Sequence, residues 1–93
     1  TILAIPGVTM KQLQLDILID CSLNTITTDG LYERHNGTLS QTRSAIKALL
    51  DSEYITVWDV INNVRVFTST ERGDDYLSDL LLRLDKWKKE VTQ

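Results

Sequence analysis

Five short polar or basic side chains stand out for the chemistry they could do together: Ser40, Gln41, Arg43, Ser44 and Lys47. They fall on one side of a segment whose other side is Thr42, Ala45, Ile46, Leu49 and Leu50. That spacing, i, i+3, i+4, i+7, i+8, makes a helix with one face in a core. The opposite face offers hydroxyl, amide, guanidinium and ammonium groups, the set that bonds phosphate oxygens and base edges. No acid occurs on this stretch before Asp51, in a chain whose formal net charge is −3. A net charge is a global average, and the field at one face depends on local distribution.

The remaining reactive groups read more plainly. Cys21 is the single cysteine, so no internal disulfide can form, which suits a reducing cytoplasm. It falls on the apolar side of a helical segment and is expected to be a small buried hydrophobe. His35 is the one histidine. With Asp29 or Glu33 it makes a poor metal set, and a helix-end histidine is the better reading. The carboxylate pairs Asp16/Asp20, Asp51/Glu53 and Asp74/Asp75 are expected on solvated helix faces or ends. Ser, His and Asp occur without a nucleophile-elbow pattern, and the glycines are scattered, so neither a catalytic triad nor a phosphate loop is expected. Asn36-Gly37-Thr38 fits a glycosylation acceptor but reads as a turn. Lys86, Lys88 and Lys89 complement a helix C-terminus. The expectation is a protein with no catalytic residues, no metal and no cofactor.

Positioning the polar helix requires neighbours. Thr9-Met10-Lys11-Gln12 reads as a capping box. It opens a first helix, about 9–22, with Met10, Leu13, Ile17, Leu18 and Cys21 at helical spacing. The segment 23–27 leans toward β. Thr28 is expected to cap a second helix to about His35, and Ser40 a third to about Ser52. Tyr54–Val60 and Val64–Thr68 flank Asn62-Asn63 and read as a β-hairpin. Thr70 is expected to cap a last helix to about Val91. On it Leu77, Leu80, Leu84, Trp87 and Val91 step by three and four, a heptad seam.

With 93 residues the chain is expected to form one domain over 1–93, a core of 9–73 and a C-terminal helical part of 74–93. The opening Thr1–Ile5 lacks a basic flank and is not expected to be a signal peptide. The absence of an initial Met fits a processed or excised chain. No run has the length of a membrane helix.

Helix, turn, helix and hairpin, in that order, make a winged helix: α+β, mostly helical, a three-helix core plus a two-stranded hairpin wing. The stretch from Thr38 to Ile55 resembles the recognition helix and following strand of bacterial and archaeal winged-helix regulators. Ile46 and Leu49 match that family's paired leucines, and Tyr54-Ile55 its apolar pair. Phe67 to Leu77, with Thr70-Glu71-Arg72-Gly73, is similar to the Leu-Thr-Glu-Lys/Arg-Gly segment of MarR-like and PadR-like proteins. The likeness covers roughly 17–84. Glu53 stands where that family usually has Gly, so the turn there is expected to avoid positive φ. The wing, 59–65, carries one basic residue, Arg65, which weakens any expectation of minor-groove insertion.

The resemblance implies a dimeric, sequence-specific regulator of double-stranded DNA, located in the cytoplasm. Gln41, Arg43, Ser44 and Lys47 would approach bases. Thr38 and Ser40 would bind phosphate, and Arg65 the backbone. Leu77, Leu80, Leu84, Trp87 and Val91 would form the dimer interface. A winged helix that binds a protein partner instead of DNA is the alternative, and the sequence pI near 4.9 favours it.

Overall fold

The computed structural model describes residues 10–35 and 37–92. The chain runs α1 (Gln12–Leu23), β1 (Ile26–Thr27), α2 (Thr28–Arg34), α3 (Leu39–Asp51), β2 (Ile55–Ile61), β3 (Val64–Ser69), α4 (Glu71–Thr92). This is the expected winged helix with its long last helix. The sheet has three strands, not two, in the order β1-β3-β2. Ile26 pairs with Phe67 and Thr27 with Val66, so the short β-leaning segment lies along the inner strand of the hairpin.

The core follows from the helical and strand periodicities. Ile17, Leu18 and Cys21 of α1, Leu31 of α2, Ala45, Ile46 and Leu49 of α3, Ile55 of β2 and Phe67 of β3 form one buried cluster. Met10 and Leu13 pack against its rim. Thr42 is fully buried and donates its hydroxyl to the Thr38 carbonyl at 3.0 Å, which removes the cost of burying it. Asn62 and Asn63 both take positive φ, 52° and 64°, as a tight hairpin turn requires.

Three helix starts differ from expectation. Thr9 lies outside the described residues, but α1 begins only at Gln12, with Lys11 as an unbonded cap. Gln12 bonds Asp16 Oδ1 at 2.9 Å instead of turning back to a cap. Thr27, not Thr28, caps α2 and accepts from the Gly30 amide. Thr38, not Ser40, caps α3. The Thr38 hydroxyl accepts from the Gln41 amide at 3.1 Å, and Gln41 Oε1 accepts from the Thr38 amide at 2.9 Å. That reciprocal pair is a capping box, and it satisfies two amides at once.

Glu53 overturns another expectation, because its φ is +63°. The reason is the way α3 ends. The Glu53 amide donates to the Leu50 carbonyl and the Tyr54 amide to the Leu49 carbonyl, at 3.0 and 2.9 Å. This two-bond closure needs a left-handed residue at the first position past the helix, normally Gly. Glu53 holds it without Gly because its neighbours lock it. Its carbonyl accepts from the Thr70 hydroxyl at 2.6 Å, and the Thr70 amide donates to the Tyr54 carbonyl at 3.0 Å.

Candidate nucleic-acid interface

α3 is held on three sides, and only its crest is open. Buried Thr42, Ala45, Ile46 and Leu49 fasten it to α1, α2 and the sheet. Ser40, Gln41, Arg43, Ser44 and Lys47 are all exposed. The acid-free face is therefore a ridge in solvent, about 20 Å long for 13 residues.

A groove flanks the ridge on each side. The first, of about 450 Å³, is lined by Thr28 at the start of α2, by Arg43, Ile46, Lys47, Leu50 and Asp51 of α3, and by Arg65 of β3. Three cations thus converge from the ridge and the wing. Arg65 is oriented by its guanidinium lying 5.6 Å from the centre of the Phe67 ring, a cation–π contact onto a core aromatic. The second cleft is wider, about 850 Å³, and runs between α3 and α1. Ser40, Gln41 and Ser44 form one wall; Lys11, Gln12 and Asp16 the other; Arg34, His35 and Gly37 close the end. The residues expected to meet DNA therefore divide: Arg43, Lys47 and Arg65 on one flank, Ser40, Gln41 and Ser44 on the other. Thr38 lies at the cap, where its hydroxyl already serves the Gln41 amide. Gln41 keeps its amide NH₂ for an outside acceptor, since its carbonyl is held by the cap.

One constellation escaped the sequence reading. Asp20, expected on a solvated face, is buried at 8% exposure. Its Oδ2 is 2.5 Å from His35 Nε2 and its Oδ1 is 3.2 Å from an Arg34 guanidinium nitrogen. His35 and Arg34 stand at the end of α2, immediately before the turn into α3. The cluster ties that end to α1 and so fixes the angle at which α3 leaves the turn. The available signal was Asp20's place beside Ile17 and Cys21, on the edge of the apolar stripe. Its partners, 14 and 15 residues away in sequence, could not be read from spacing.

Asp20 also acts on Cys21. Burial first, and then the neighbouring Asp20 charge, push the Cys21 thiol up to about 12. The thiol stays protonated at neutral pH and behaves as the small hydrophobe expected of it.

The wing is shaped by a bulge at Trp58, where β2 shifts register between Val57 and Asp59. Its surface is apolar: Trp58 (59% exposed), Val60, Ile61 and Val64 all face solvent. On α4, Leu77, Leu80, Leu84 and Trp87 are half-buried, and the side chain of Val91 lies outside the described residues. No helix among the described residues is long and apolar enough to cross a membrane.

The chain matches no protein-family model and no curated protein sequence. Its fold matches solved winged-helix structures. A Staphylococcus aureus MarR in complex with salicylate and kanamycin superposes with a TM-score of 0.77 at 22% identity, over 89% of this chain and 57% of that one. The transcriptional regulator BldR from Sulfolobus solfataricus gives 0.76 at 18%, over 91% and 63%. A mutant of ZitR from Lactococcus lactis in complex with DNA gives 0.65 at 18%, over 90% and 62%. The architecture is the winged helix of MarR-type regulators. The chain spans about three fifths of the length of these structures.

Proposed function

We propose that this protein binds double-stranded DNA sequence-specifically as a dimeric winged-helix regulator of transcription. The observation that carries the reading is the α3 ridge: exposed, free of acid until Asp51, and flanked by a groove where Arg43, Lys47 and Arg65 converge. A major groove admits one helix, and the flanking grooves leave room for the two phosphate strands beside it. In this reading Arg43 reads a base and Lys47 and Arg65 hold the backbone. Ser40, Ser44 and the Gln41 NH₂ face the other strand. The ZitR structure described as a complex with DNA supports this use of the fold. A regulator of this kind works in the cytoplasm and needs no catalytic machinery.

Dimerisation would come from α4, through Leu77, Leu80, Leu84, Trp87 and Val91. Two copies would present two α3 ridges to one duplex, and twofold protein symmetry matches a palindromic site.

The test is selection from random-sequence duplexes followed by binding at rising salt. A specific site should emerge, and log K should fall with log salt by about 0.9 per phosphate neutralised. Failure to enrich any duplex would favour a protein-binding winged helix. The exposed apolar wing, Trp58, Val60, Ile61 and Val64, is the feature that favours that second reading, since apolar patches mark protein contacts.

A further inference from the structure

The α4 stripe serves two purposes along its length. Its first turns lie on the domain: Gly73 is buried, and Tyr76 and Leu77 pack against the core cluster. Beyond Leu77 the stripe continues through Leu80, Leu81, Leu84 and Trp87, none of which joins that cluster among the described residues. Leu81 is 65% exposed. The molecule is 53 Å long and 20 Å thin.

We propose that a second copy of this chain covers the stripe with its α4 running antiparallel. The proposal rests on the dimer reading above and adds the orientation, which the charges beside the seam decide. With Leu77 and Leu84 at one core position of the heptad and Leu80 and Trp87 at the other, the flanking positions hold Tyr76, Arg83 and Glu90 on one side. Leu81 and Lys88 hold the other side. A parallel pair sets each flank against the opposite flank of its partner and brings Arg83 against Lys88 of the second copy, twice, like charge to like. An antiparallel pair sets like flanks together. Arg83 then meets Glu90 of the second copy, twice, and Leu84 packs on Trp87. The Lys88 stem lies over exposed Leu81, with its ammonium in water. Arg83 is already held within its own helix by Asp79 at 3.1 Å, which keeps its guanidinium extended along the surface. At 1.5 Å per residue this register sets the two Gly73 anchors about 40 Å apart, close to one turn of duplex.

Sedimentation equilibrium of the full chain and three variants tests this. Arg83→Glu and Glu90→Arg should each raise the dimer Kd about tenfold, and the double exchange should restore it to within about twofold. Helix content by circular dichroism controls for folding, and the rescue excludes a defect of the single chain. A tighter dimer for Arg83→Glu would overturn the antiparallel arrangement in favour of the parallel one while leaving the dimer intact. Unchanged single variants would likewise remove the antiparallel contact. A wild-type chain that stays monomeric at high micromolar concentration would overturn the dimer reading itself.

Discussion

Gly73, in the first turn of α4, lies so close to the carbonyl oxygen of Tyr54 that a Cβ at position 73 would overlap it. This approach lets the Thr70 hydroxyl donate to Glu53 and accept from the Gly73 amide, at 2.6 and 3.1 Å. It joins the end of α3 to the start of α4, so the ridge and the protruding helix share one rigid joint. Tyr54 completes it, with its ring 5.1 Å from Tyr76 and beneath the Arg72 guanidinium at 5.3 Å.

Gly73→Ala should therefore destabilise the fold by about 2 kcal/mol, within the range for forcing extra volume into a packed site. Thermal unfolding measures it. The obstacle is backbone and cannot swing aside, so a variant as stable as wild type would show that the joint is looser than described.

Glu53→Gly should act in the other direction. Relief of the left-handed strain contributes roughly 1 kcal/mol, part of which the added freedom of the unfolded glycine cancels. A small rise in Tm is expected, with DNA affinity unchanged because Glu53 lies off the ridge.

Asp20→Ala should cost about 1–3 kcal/mol, since it leaves His35 and Arg34 without their shared acceptor. DNA affinity should fall beyond what the loss of folded protein explains, because the end of α2 sets the exit of α3. Titrating a selected duplex well below the variant's Tm separates the two effects.

Arg43→Ala should cost about 1–3 kcal/mol on the selected site and relax preference at one base position per half-site, as loss of a bidentate guanine contact would. Lys47→Ala should weaken all duplexes about equally. Both side chains are exposed, so Tm should hold. An unchanged base preference for Arg43→Ala would remove it from the readers and call for a different orientation of α3.

Cys21 should resist thiol reagents at pH 8 in the folded protein, because a group titrating near 12 is almost wholly protonated there. Labelling should become fast in denaturant, where the thiol recovers its ordinary acidity. Fast labelling of the native protein would mean that α1 opens readily.

What the sequence determined by itself is local. The stripe Thr42, Ala45, Ile46, Leu49 put one side of α3 in the core and its cations outside, because a 3.6-residue period needs no partner to be read. Asn62-Asn63 set the hairpin for the same reason, and the Thr70 cap and the α4 heptad were equally legible. The box at Thr38 and Gln41 was legible too, since Thr-x-x-Gln is the pattern read at Thr9, but Ser40 drew the cap two residues too far. The tertiary structure alone decided the rest. The pairing of Ile26 with Phe67, the burial of Asp20 by Arg34 and His35, and the convergence of Arg65 on Arg43 and Lys47 all join residues far apart in the chain. Glu53 shows the principle most sharply. Its own preferences argue against a positive φ, and two hydrogen bonds closing α3, with a third from Thr70, outweigh them.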